Sequence, residues 1–470
     1  MKEHADSRQA VKAGIWYVIS NFISKGLVFL TTPIFTRVLP KAEFGEYNNF
    51  ATWQSLLLII ATLELYSTIA RAKYDFKESL DQYISSISIA GTIYTGICYG
   101  IVTLFMPFFS KLFDLEAKYI HILFCYLLFA PALQIILAKH RVMLKYKSAA
   151  ILALSSSAIS TLVALLLCLT MNDRLLGRIL GQEAVLIVFN FVIFLYLILR
   201  GRNFKWSHCK YALIVALPLV PHLLAGNLLG SFDKIVINKL CGAEDLAFYS
   251  LAFNCSLLAK VLWDSLNQAM VPWLYERIEN HEKDQIIKVS RIYIGGFLFV
   301  AIGIMLFAPE VLLIFGGKLY LDAKIVMPPI IMGSCFQFAY SMYVNLEMFR
   351  KKTLQVSIGT IGATLLNIPL NYVFVHSYGY VAAAYTTMVC YGLLYLFHYL
   401  IVKKLKMHDV YDNKFNFLAL SIMVLITISI ELVYSFEIVR RVILVIYLLV
   451  FFVILIRYRD KINLLFNRKS

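Results

Sequence analysis

Residues 246–270 read LAFYSLAFNCSLLAKVLWDSLNQAM. The run is long enough to cross a bilayer, whose hydrocarbon core of about 30 Å takes roughly 20 helical residues. Within it Ser256, Lys260, Asp264 and Gln268 recur at every fourth position, with Asn267 beside them. That period gathers the polar side chains on one helix face. A lysine at the centre of a spanning helix costs roughly 2.5–3.5 kcal/mol on insertion scales, so such a stripe faces a partner or a watery cavity rather than lipid. The segment therefore reads as one inward-facing helix of a membrane bundle.

The rest of the 470-residue chain agrees, with 60% hydrophobic and only 15% charged residues against about a quarter charged in ordinary soluble proteins. Apolar blocks separated by charged, proline or glycine breaks fall near 13–38, 46–70, 83–107, 119–139, 149–171 and 177–199. A second set falls near 211–234, 246–270, 289–315, 325–349, 353–375 and 379–402, and two more near 416–434 and 440–457. The expected fold is an all-α integral membrane protein of about fourteen transmembrane helices. The first block lacks a cleavage pattern and is too long for a signal peptide, so it is kept as a membrane helix.

The net charge of +16 does not point to nucleic acid, because the basic residues sit in short clusters between apolar blocks. The N-terminus and every second loop hold 30 of the 44 Lys and Arg, and the opposite loops hold 12. The positive-inside rule then places both termini in the cytoplasm. Two lysines, Lys25 and Lys260, remain inside spans.

A weak internal repeat appears at a shift of 201 to 202 residues: Leu39, Ala42, Glu43 and Tyr47 recur as Leu240, Ala243, Glu244 and Tyr249, and Gly177 recurs as Gly379. The expected organisation is two six-helix pseudo-symmetric bundles, 1–205 and 206–405, followed by a helix pair and basic tail in 406–470. Halves with an even number of helices are parallel repeats, an arrangement suited to alternating access around a mid-membrane site.

Lys25 with Asn21, and Lys260 with Asn267 and Gln268, form a candidate cationic lumen that could hold a pyrophosphate or an acidic sugar. The plainer alternative is that Lys260 and Asp264, at i and i+4, neutralise each other. Gln337 and Asn345 could line the same lumen or join helices. Asp264 and Glu64 are candidate proton or sodium coupling groups, since desolvation favours the protonated carboxyl. Pro218 and Pro221 should kink the seventh span, and Gly96 with Gly100 suggests close helix packing.

Several chemistries are not supported. The eight cysteines form no CxxC pair and the nine histidines no HExxH, so neither a metal site nor a cofactor is called for. Gly316, Gly317 and Lys318 do not complete a phosphate-cradling loop. The longest loop, about Tyr275 to Lys288, is too small for the catalytic domain of a membrane polymerase, so the chain is not read as an enzyme.

The segment Thr36 to Pro40 with Glu43 to Tyr47 resembles the first loop of the polysaccharide repeat-unit transporters, the O-antigen and capsule flippases. Asn367, Leu370 and Asn371, then Gly379 and Ala382 to Thr386, are similar to that family's junction between helices 11 and 12. The resemblance covers essentially the whole chain. It implies the fold of multidrug extruders and lipid II flippases, and transfer of undecaprenyl-pyrophosphate-linked oligosaccharide across the bacterial inner membrane. It also implies membrane lipids, a polysaccharide polymerase and chain-length machinery as partners, and a groove for the polyprenyl tail beside 416–434 and 440–457. A cation-coupled small-molecule exporter on the same fold is the rival expectation.

Overall fold

In lipid every backbone polar group must be satisfied inside its own segment, so apolar runs of this length become helices. The computed structural model describes Gly26 and residues 29–467, and among the described residues there are helices and turns but no strand. The first half comprises α1 (29–38), α2 (Lys41–Thr62), α3 (Ile69–Asp75), α4 (Leu80–Leu104), α5 (Met106–Phe113), α6 (Ala117–Val142), α7 (Tyr146–Thr170) and α8 (Arg174–Gly201). The second comprises α9 (Trp206–Ala216), α10 (Val220–Cys241), α11 (Ala243–Glu279), α12 (Lys283–Leu306), α13 (Ala308–Gly316), α14 (Met327–Phe349), α15 (Thr353–Tyr378) and α16 (Val381–Lys404). The pair α17 (Asn413–Ser435) and α18 (Glu437–Asn467) completes the chain.

Among the described residues nine helices are long and apolar enough to cross a membrane, or twelve when each of three bent pairs counts as one span. The expected first span lies largely outside the described residues, and α18 runs through the expected fourteenth. The bend in the second span is a finding that block-reading does not give. The second span breaks after Thr62, turns through a 3-10 segment at Leu65–Thr68 and continues as α3 at 51°. The seventh breaks between α9 and α10 by the same angle, beside Pro218 and Pro221 as expected. The eighth is the reverse case: α11 continues for 37 residues, well past its expected end, with Pro272 inside it.

Short helices α5 and α13 follow the third span of each half, and each starts with proline in its first turn, Pro107 and Pro309. Proline suits that position because its missing N–H has no intrahelical partner there. The Gly177 and Gly379 match has no common role: Gly177 lies inside α8, where a Cβ would sit 2.5 Å from the Leu167 carbonyl oxygen, and Gly379 ends α15 with φ +74°. Gly100 has nothing within 4 Å of its Cβ position, so the Gly96–Gly100 pair is not a close-packing seam at that residue.

The halves meet at the basic-poor ends of their helices. At Gly45 in α2 a Cβ would lie 1.8 Å from the Ala243 carbonyl oxygen, so only glycine permits this crossing of α2 and α11. Thr36 Oγ1 donates to the Phe315 carbonyl at 2.5 Å, Arg37 to Ile314 at 2.8 Å, and Asn238 Nδ2 to Asp114 Oδ2 at 2.6 Å. Deeper along α2, Ser55 reaches Asn227 at 3.5 Å. Toward the basic-rich end the only hydrogen bonds between halves among the described residues belong to α9, which packs on α4 and the 3-10 turn; Tyr211 donates to Asp75 there at 2.5 Å.

Candidate functional site

The site is built where α10, α11, α14 and α16 of the second half converge. Their packing leaves a narrow cleft between the four helices. Its walls carry Asp233 from α10, Tyr249, Ser256 and Lys260 from α11, Ser334 and Gln337 from α14, and Thr387 and Tyr391 from α16. The glycines Gly230 and Gly333 also line it, leaving room where side chains would otherwise meet.

Asp233 sits at the dry end, 1% exposed, with the Tyr249 hydroxyl donating to one carboxylate oxygen and the Lys234 backbone N–H to the other at 2.8 Å. Lys234 is itself buried, its ammonium 4.0 Å from the centroid of the Phe253 ring. Lys260 is at the open end, with an exposed side chain. The cleft thus grades from a buried carboxylate to an accessible cation, with hydroxyl and amide groups between. Such a lining can hydrogen-bond a polar ligand and attract an anionic one.

Two residues of the expected lumen, Lys260 and Gln337, come together in this cleft. Asp264 is one turn further along α11 and half-buried, and Gln268 is exposed beyond it. Asn267 and Asn345 are bonded to each other, Asn345 Nδ2 donating to Asn267 Oδ1 at 2.8 Å, which ties α14 to α11. Lys25 and Asn21 lie outside the described residues. Glu64 is in the other half, 6% exposed at the break between α2 and the 3-10 turn, with φ +54°.

Sequence reading missed Asp233 and Lys234 because they fall at the expected end of the 211–234 block, whereas α10 continues to Cys241. It also missed a buried polar network in the first half. Glu183 of α8 is fully buried and accepts from Gln54 at 2.8 Å and Gln182 at 3.3 Å. Arg178, counted above among loop residues, is buried between the rings of Phe35 and Tyr47, 3.6 and 4.4 Å from their centroids. These partners come from other helices, so local spacing carries no sign of them. No group of three potential metal-ligating side chains occurs among the described residues.

Residues 10–277 match the family of polysaccharide biosynthesis proteins. A protein of the Lsg locus of Haemophilus influenzae is 23% identical over 368 residues, covering 76% of this chain and 89% of its own. An uncharacterized membrane protein of Methanocaldococcus jannaschii is 21% identical over 443 residues, 86% of each chain. Among solved structures, the lipid II flippase MurJ in an inward closed conformation superposes with TM-score 0.72 at 17% identity, covering 95% of this chain and all of that one. An inward-facing multidrug resistance MATE transporter of the MOP superfamily superposes with TM-score 0.61 at 17% identity, covering 84% and 99%. The fold is therefore that of the MurJ and MATE membrane transporters.

Proposed function

The chain belongs to the polysaccharide biosynthesis protein family, and from that premise we propose that it is a flippase for undecaprenyl-pyrophosphate-linked oligosaccharide repeat units. The carrying observation is the cleft: a cation at its mouth and hydrogen-bonding groups behind it, inside one of two halves joined at their basic-poor ends. With the basic-rich end cytoplasmic, the contacts at the basic-poor end and the cleft in the second half would suit an inward-facing carrier. Lys260, and Lys25 from the first span, attract the pyrophosphate, while Gln337 and the cleft hydroxyls bind sugar hydroxyls. The polyprenyl tail stays in lipid beside α17 and α18. Opening at the other end then delivers the sugar to the outer leaflet of the bacterial inner membrane, where polymerase and chain-length machinery act.

Coupling to protons or sodium follows from buried carboxylates. Glu64 and Asp264 remain candidates, and Asp233 joins them on burial and its position in the cleft. Specificity among O-antigen, capsule and other glycans would lie in the polar lining.

The test uses liposomes carrying the lipid-linked oligosaccharide on one leaflet, with access of an added glycosidase followed over time. Transfer should depend on the protein, fall most in Lys260→Ala, and be largely kept in Lys260→Arg. Equal rates for Lys260→Ala and wild type at equal membrane abundance would remove Lys260 from the mechanism. Failure of wild type to transfer, with and without ion gradients, would favour small-molecule export on the same fold.

A further inference from the structure

Glu347 of α14 and His398 of α16 are both fully buried, and Glu347 Oε1 and His398 Nδ1 are 2.7 Å apart. Their other polar atoms, Glu347 Oε2 and His398 Nε2, have no hydrogen-bond partner among the described residues. A closed structural pair would satisfy all four atoms, because an unpaired polar atom in a dry interior is costly. This pair keeps one basic nitrogen and one carboxylate oxygen in reserve.

The pair is also connected to the cleft. The Tyr340 ring stacks on His398, centroids 5.5 Å apart and 23° between planes, and its other neighbour is Tyr391, at 6.4 Å and 19°. Tyr391 is a cleft wall. A ring stack therefore runs from the ligand-accessible wall to the buried imidazole along the seam between α14 and α16.

We infer that Glu347 and His398 form a proton-binding site that exchanges one proton at the imidazole Nε2 and reports its state to the cleft through Tyr340. With a single proton shared between Nδ1 and Oε1 the pair carries one negative charge. A proton taken from water onto Nε2 makes it neutral, and release returns that proton to water. The pair is fully buried, so a proton enters or leaves only when water reaches the seam, which ties exchange to opening of the bundle.

The groups able to compete are identifiable. On neighbouring α10 the charges are Asp233, Lys234 and Lys239, and on α11 Glu244, Asp245, Lys260, Asp264, Glu276, Arg277 and Glu279, none of them bonded to the pair; α15 contains no Asp, Glu, Lys or Arg and one histidine, His376. On α12, Lys283 is bonded to Asp409 and Arg291 to Asp412, on α17 Glu431 accepts from Tyr385, and neither these nor Asp284, Lys288 and Lys414 is bonded to the pair.

The inference rests on the transport reading for its role, not for its chemistry, so the experiment has two arms. In the first, histidine-labelled protein in lipid is followed by nitrogen NMR between pH 5 and 9, with His398→Gln identifying the signal. Conversion of the His398 ring between neutral and cationic forms, displaced in Glu347→Gln, is expected. An imidazole unchanged across that range overturns the site. In the second, a gradient of one pH unit, about tenfold in the equilibrium of a one-proton exchanger, is imposed on proteoliposomes carrying lipid-linked oligosaccharide. Wild type should respond by about that factor, and Glu347→Gln should transfer without responding. A Glu347→Gln response equal to wild type overturns the coupling role. Absence of transfer by wild type would instead count against the flippase reading, leaving the first arm to decide the proton site; it decides also if Glu347→Gln does not fold.

Discussion

The two halves of the molecule share a scaffold and differ in what they hold. At the basic-poor end they are nearly interchangeable: Thr36 at the end of α1 donates to the carbonyl that closes α13, and Asn238, 202 positions later at the end of α10, donates to Asp114 just after α5. Toward mid-membrane they part. The second span of the first half breaks where Leu63 and Glu64 both adopt left-handed conformations, φ +44° and +54°, and its counterpart α11 continues unbroken through Ser265. Subtracting 202 from Asp233 and Lys260 gives Thr31 and Leu58, both uncharged. Among the described residues, closing contacts therefore come from both halves, whereas the charged cleft described here lies in the second. Left-handed non-glycine residues cost roughly 1–3 kcal/mol each and persist only where surrounding packing holds them, so the break is specific to the first half.

The largest expected effect comes from the point where the halves touch. Gly45→Leu would drive a Cβ to within 1.8 Å of the Ala243 carbonyl oxygen, a backbone atom that cannot step aside. Overpacking typically costs about 1–3 kcal/mol and occasionally more, and because the obstacle here is backbone the cost lies at or beyond the top of that range. The variant should be found with the basic-poor end open, read by cysteine labelling across that end, and should melt at lower temperature. Unchanged labelling would mean that the α2–α11 crossing is not the closing contact.

Smaller effects separate the two closing bonds. Thr36→Val removes a neutral hydrogen bond, about 0.5–1.5 kcal/mol, and Asn238→Leu one to a carboxylate, about 1.5–3 kcal/mol. Spin-label distances across the basic-poor end should therefore show both variants shifted toward opening, Asn238→Leu by about tenfold or more in population. Equal shifts would show that the charge on Asp114 adds nothing, and the two contacts would then be equivalent in strength as well as in position.

How much of this the sequence discloses depends on where each partner comes from. The spans are legible because the bilayer forces helices, and Lys260 is legible because period four places it on a polar stripe. The bend at Pro218 and Pro221 carries its own residue signal, whereas the one at Leu63 has no proline or glycine to announce it. Arg178 and Lys234 read as loop cations because charge counting assigns them to the nearest helix end. Their burial depends on Phe35, Tyr47 and Phe253, aromatic faces that tertiary packing brings to them. Glu347 and His398, 51 residues apart on separate helices, are invisible to any local pattern.

The smallest expected effect tests the halves at a helix start. Asp173 caps α8 by accepting from the Leu176 N–H at 2.8 Å and also receives Lys118 at 3.2 Å. Its counterpart ahead of α16 is Tyr380, in helical conformation and without a side-chain cap. The Leu176 N–H first, and Lys118 after it, hold the Asp173 carboxyl below its usual range despite partial desolvation. A depressed carboxyl contributes stability above its unfolded pKa of about 3.9 and loses it as pH falls through the folded value. Asp173→Ala should therefore lower stability near neutral pH by about 0.5–1 kcal/mol, the low end of the usual worth of such a cap because this one is exposed. The gap from wild type should narrow below about pH 4. Thermal melts of both proteins across that range measure it, and a gap that persists in acid would assign the loss to packing around Asp173 instead of to its charge.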